Sequence, residues 1–181
     1  MAENGDKSVN PDGLAQAAAI AAKDGPAPVH LWNPPYCGKM DLTICADGTW
    51  LHEGTPIGRP AMVRLFASIL KREGDRFYLV SPVEKIGIQV EDAPFLVTDA
   101  DIAQDVITFV TNMGERVTAG PDHAIIIRGT AEVPRPYVHV RGGLEALIDR
   151  KTFYRLAAAA DPGPDGRAAV RSGGQSFALE P

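Results

Sequence analysis

The sequence is poor in the residues that build metal and cofactor sites. Cysteine occurs twice among 181 residues, as Cys37 and Cys45, and aromatic residues make up 7%. Two cysteines without a secretory leader point to free thiols in a reducing, cytoplasmic compartment. The four histidines, His30, His52, His123 and His139, lie far apart, and none stands at zinc-ligand spacing from a cysteine, so no metal site is expected. No run approaches the ~20 apolar residues of a membrane span. Positive charge is in deficit, and a net charge of -5 argues against general affinity for the nucleic-acid backbone. The phosphate loop, the dinucleotide glycine fingerprint and the nucleophile-elbow serine are all missing. No catalytic constellation and no cofactor are legible.

What is present is ordinary globular text, 45% hydrophobic and 23% charged, long enough for one compact domain or two small halves. The alanine-rich run Gln16 to Ala22 resembles the apolar core of a signal peptide. Glu3, Asp6 and Asp12 stand where a positive leader would be needed, so it reads as a short helix capped by Asn10 and Pro11 and ended by Gly25-Pro26. Residues 27–40 form a proline-rich extended connector. Asp47-Gly48, between strand-like runs at 41–46 and 49–53, signals a tight hairpin. An amphipathic helix opens at Pro60, carries Met62, Val63, Leu65, Phe66, Ile69 and Leu70 on one face, and ends in Lys71, Arg72 and Glu73 before Gly74. Strands follow at 77–80, 86–90, 95–98, 106–111, 116–118, 124–128 and 137–141. Gly142-Gly143 is expected to lead into a helix from Leu144 to about Ala160. The tail from Asp161 reads as loop with an edge pair at 168–170 and 176–179. The implied fold is α+β: an N-terminal helix and linker over 1–31, then two small packed halves, 32–95 and 96–181, that share a strand-hairpin-helix order.

Charge is segregated along the chain. From Glu84 to Asp105 there are six acids and one lysine, whereas Arg128 to Arg155 contains six basic residues and three acids. The second stretch suggests an anion pocket in which Arg141, Gly142-Gly143 and the start of a helix would surround a phosphate or carboxylate. Arg59, placed before the helix at Pro60, opposes the helix dipole, so a nearby acid or bound anion is expected there. Glu84-Lys85 falls at a hairpin turn, either as a surface pair or as a polar anchor. A hydrolase or lyase using Glu84, Asp92 or His139 is an alternative. So is an interaction or homodimer module that presents Trp32, Tyr36 or the tail.

Trp32-Asn33-Pro34-Pro35-Tyr36-Cys37-Gly38-Lys39-Met40-Asp41, Asp47-Gly48-Thr49-Trp50 and Thr55-Pro56-Ile57-Gly58-Arg59 resemble a bacterial family of unknown function, DUF1285. The likeness continues in order through Ser81-Pro82-Val83-Glu84-Lys85, Val90-Glu91-Asp92-Ala93-Pro94-Phe95, Phe109-Val110-Thr111-Asn112, Val140-Arg141-Gly142-Gly143-Leu144 and Arg150-Lys151-Thr152-Phe153-Tyr154. The resemblance implies a duplicated α+β core, a pleckstrin-homology-like barrel in the second half, and a ligand site where the halves meet. It also implies a signalling role and a nucleotide-like ligand. His52 departs from the aromatic expected at its position. On this reading a small anionic ligand is held by Arg59, Lys85, Asn112, Arg141 and Arg150, with Glu84 orienting Lys85 and with Trp50 and Tyr154 as stacking surfaces.

Overall fold

The computed structural model describes residues 10–21 and 25–181. Glu3, Asp6 and the exit of the first helix therefore lie outside the described residues. Within them the chain is mixed α/β and forms two compact units. One takes the chain up to Thr43 together with Trp50–Gln89, and the other takes Ile44–Thr49 together with Val90–Pro181.

In the first unit, helix α1 (Pro11–Ala21) starts as expected, with Asn10 Oδ1 accepting the Asp12 N–H at 3.0 Å. A 3₁₀ turn, Val29–Leu31, precedes the strands. Strands β1 (Tyr36–Ile44), β2 (Trp50–His52) and β3 (Thr55–Pro56) lead to helix α2 (Pro60–Ser68), followed by β4 (Leu70–Glu73), β5 (Arg76–Val80) and β6 (Lys85–Val90). They form one six-stranded sheet in the order β3-β2-β1-β6-β5-β4. Lys71, Arg72 and Glu73 are thus strand, not the solvated end of a helix. The α2 helix stops at Ser68, whose hydroxyl donates to the Leu65 carbonyl. The next residues gain a ladder with β5, pairing Leu70 with Leu79 and Lys71 with Tyr78. Alternation decides the faces: the register row Leu70, Leu79, Ile86 is fully buried, and Lys71, Tyr78, Gly87 lie on the opposite face.

The second unit holds β7 (Phe95–Ala103), β8 (Val106–Thr111), β9 (Arg116–Thr118), β10 (Ile125–Gly129), β11 (Pro134–Arg141) and β12 (Leu144–Ile148) in the order β10-β11-β12-β7-β8-β9. Read from the β9 edge, this is the strand order of the first unit advanced by six. The central β12–β7 pair is parallel, and the row Ile125, Val138, Ala146, Phe95 is buried. Helix α3 (Arg150–Ala158) follows the last strand, and β13 (Asp161–Pro162), β14 (Ala168–Ser172) and β15 (Gln175–Ala178) add a small antiparallel sheet that contains the expected tail pair.

The helix expected from Leu144 is overturned in its first half. Gly142 and Gly143 both have positive φ, 57° and 79°, the backbone of a two-residue hairpin turn. Residues 144–148 then alternate buried and half-exposed as a strand. The helix begins only at Arg150, capped by Asp149, whose carboxylate accepts the Thr152 N–H at 2.9 Å.

Candidate functional site

In the first unit, Lys71 and Glu73 of β4, Tyr78 of β5, and Lys85 and Gly87 of β6 share one sheet face. Glu73 accepts from Lys85 at 3.0 Å and lies 3.6 Å from Lys71. Both lysine side chains are largely withdrawn from solvent, 18% and 16% exposed. Lys71 also donates to the Trp32 carbonyl at 2.8 Å, and Lys85 stands 4.9 Å from the Tyr78 ring centroid. Tyr36 meets Tyr78 edge-on at 6.2 Å. A Cβ on Gly87 would stand 3.5 Å from the Tyr36 hydroxyl and 3.4 Å from Lys39 Cγ, ordinary contact distances that put both side chains over this point of β6. The hydrogen bond from Lys85 is the main cause that holds the Glu73 carboxyl below its usual range.

The second unit repeats the arrangement with its charges closed. Tyr137, on β11, is covered by Arg128 at 4.8 Å. Arg128 makes a bidentate pair with Glu145 at 2.5 and 2.8 Å. Arg135 donates to Asp92 at 2.6 Å and to the Tyr137 hydroxyl, which itself donates to Asp92 at 2.7 Å. Burial, then the bond to Asp92, raises the Tyr137 pKa. Two guanidiniums here meet two carboxylates, whereas in the first unit two ammoniums share one.

The residues picked from sequence fall in both units. In the first, Arg59 pairs with Asp12 at 3.2 Å, which supplies the acid expected beside it. Glu84 is exposed, with its backbone N–H donating to Ser81 Oγ, and Lys85 is held by Glu73. Trp50 is only 3% exposed, so its ring is core and offers no stacking surface. Its indole N–H is buried without a partner.

In the second unit, Asn112 accepts the Leu96 N–H at 3.1 Å and returns its own N–H to the Leu96 carbonyl, tying the β8–β9 turn to β7. Arg141 pairs with Glu115 at 3.2 Å and lies over the Phe95 ring. Register places it opposite Leu144, at the start of β12, while α3 opens beyond the other end of that strand. The helix dipole expected beside Arg141 is therefore absent from its surroundings. Arg150 and Tyr154 share the exposed side of α3, whose buried residues are Thr152 and Leu156. His139 is occupied on both nitrogens, by the Asp122 carbonyl and the Gly143 N–H, and Asp92 is committed to Arg135 and Tyr137.

Lys71, Glu73 and Tyr78 were not among the residues picked from sequence. The usable signal was Leu70 to Glu73 followed by Gly74-Asp75 and a second alternating run, which is hairpin text. Among the described residues, no group of three or more acidic, histidine or cysteine side chains is placed to hold a metal ion, and no helix is long and apolar enough to cross a membrane.

Residues 27–93 match the N-terminal domain, and residues 94–179 the C-terminal domain, of the family described as a protein of unknown function, DUF1285. The chain belongs to the DUF1285 family. A DUF1285 protein from Silicibacter pomeroyi DSS-3, solved at 2.50 Å, is 53% identical, with a TM-score of 0.84 over 93% of this chain and 94% of that one. A DUF1285 protein from Shewanella baltica OS155, solved at 1.40 Å, is 29% identical, with a TM-score of 0.55 over 67% of this chain and 94% of that one. No curated protein matches the chain. The DUF1285 domain boundary, between residues 93 and 94, lies close to the Gln89–Val90 division between the compact units, although the second unit also takes Ile44–Thr49 from within the N-terminal domain.

Proposed function

We propose that this protein is a ligand-binding, sensory protein that takes a small anion on the β4–β5–β6 face of its first unit. One observation carries the reading: Lys71 and Lys85, both withdrawn from water, share the single carboxylate of Glu73. Holding a second ammonium in a partly dehydrated place without a matching charge is unfavourable, and a phosphate or carboxylate would offset that cost. The matching face of the second unit supports this by contrast, since its two arginines already have two acids. A nucleotide-like ligand, with Tyr36 as the exposed ring, and a signalling role belong to the same proposal. So does a pleckstrin-homology-like second unit, supported by a six-stranded sheet with one helix after its last strand, and a duplicated origin, supported by the common strand order.

The test is thermal unfolding and calorimetry with pyrophosphate. At 100 times its dissociation constant a ligand of the folded state stabilises by ~2.7 kcal/mol. Lys85→Ala and Lys71→Ala are expected to abolish the shift. No shift in the parent protein, or one unchanged in both variants, would sink the proposal.

A further inference from the structure

The surroundings of the two lysines carry chemistry that an inorganic anion would not use. Among the described residues, seven large apolar side chains are exposed. Tyr36 packs against Tyr78 on this face, and Leu31 and Val83 stand in the segments that adjoin the two lysines. Leu31 is 72% exposed at the end of the 3₁₀ turn that lies against β4, next to Trp32, whose carbonyl receives Lys71. Val83 is 72% exposed in the turn that delivers Lys85, two residues on, and its N–H is tied to Ser81 Oγ. Tyr36, 54% exposed, stands edge-on to the ring that Lys85 covers. A single exposed leucine or valine needs no explanation. Three in the segments next to two lysines that share one carboxylate put apolar surface beside a charged base.

We infer that the ligand of this face is a small amphiphilic anion, with a phosphate or carboxylate head held between Lys71 and Lys85 and an alkyl or aryl tail lying across Leu31, Tyr36 and Val83. The inference rests on the anion-binding reading above and adds the tail. The head group cancels the unmatched ammonium charge, and the tail removes from water apolar surface that the fold leaves uncovered. Burying two methylene groups at ~0.8 kcal/mol each is enough for about a tenfold gain in affinity.

The experiment is calorimetric titration of the full chain with methyl phosphate, with octyl phosphate below its micelle-forming concentration, and with octyl glucoside as an uncharged control. Octyl phosphate is expected to bind at least tenfold more tightly than methyl phosphate, and octyl glucoside not at all. The double variant Leu31→Ser, Val83→Ser should lose the difference between the two phosphates while keeping methyl phosphate binding, and Lys85→Ala should weaken both. Equal affinities for the two phosphates, or a tail preference unchanged in the double variant, would overturn the amphiphile and leave the anion reading standing. Silence of both phosphates would overturn the anion reading itself. Capture by phosphatidylglycerol vesicles without uptake of free octyl phosphate would overturn the small-ligand form in favour of a membrane surface.

Discussion

The Tyr137 hydroxyl donates to Asp92 at 2.7 Å from a side chain almost wholly buried, so that the carboxylate just past the boundary between the units is anchored on β11, next to the edge of the second sheet. Arg135 takes the other carboxylate oxygen at 2.6 Å. A tyrosine in this setting is favoured in its neutral form, because burial and the bond to Asp92 both oppose the phenolate.

The alkaline limb of stability should report this bond. The folded-state pKa of Tyr137 is raised, so its contribution is fully present below the unfolded value of about 10 and is lost as pH rises through the folded one. Tyr137→Phe is expected to cost about 1–2 kcal/mol at neutral pH in urea unfolding and to flatten the decline above pH 10. An unchanged alkaline slope would contradict the assignment.

Glu73 works at the acid end and in the opposite sense. Its folded pKa is depressed, chiefly by the hydrogen bond from Lys85, so its stabilisation is present above the ordinary carboxylate value and is lost as pH falls through the folded one. The carboxylate is about a third exposed, which limits the loss, but both lysine side chains are withdrawn from water, so Glu73→Gln should cost about 1 kcal/mol at pH 7. The same variant leaves both lysines without their shared acid, and pyrophosphate should bind several-fold more tightly by calorimetry.

Arg141→Ala separates an ion pair in the second unit from ligand binding in the first. Glu115 would keep a half-buried carboxylate without its guanidinium, and Phe95 would lose its cation, for an expected loss of about 1–2 kcal/mol in denaturant unfolding. Anion binding that depends on Lys85 should persist. Its disappearance would return Arg141 to the binding site.

Ser172 is fully buried, and its hydroxyl accepts the Ile107 N–H at 2.9 Å while donating to the Ala119 carbonyl at 2.8 Å, stapling β14 to the β8–β9 hairpin. Ser172→Ala leaves two buried backbone groups without that partner and should cost about 1–3 kcal/mol. Faster amide exchange at Ile107 than in the parent protein would locate the loss.

Local chemistry was legible in the chain alone. Asp47-Gly48 announced its hairpin, Asn10 and Pro11 the first helix, Pro60 the second, and the ordered motifs from Trp32 to Tyr154 the family, because caps, turns and two-residue periodicity are written in neighbouring residues. Two strands were misread where a local pattern admits two structures. Leu70 continues a helical stripe as well as it starts a strand, and Gly142-Gly143 serves a helix entry as well as a hairpin. Pairing with Leu79 in one case, and with the neighbouring strand in the other, decided between them. The site lay further from reach. That Lys71 and Lys85, fourteen residues apart, share Glu73, that Trp50 is core, and that Arg141 faces Glu115 in place of a helix end depend on sheet register and burial. These are cooperative properties of the folded chain, which composition and spacing do not encode.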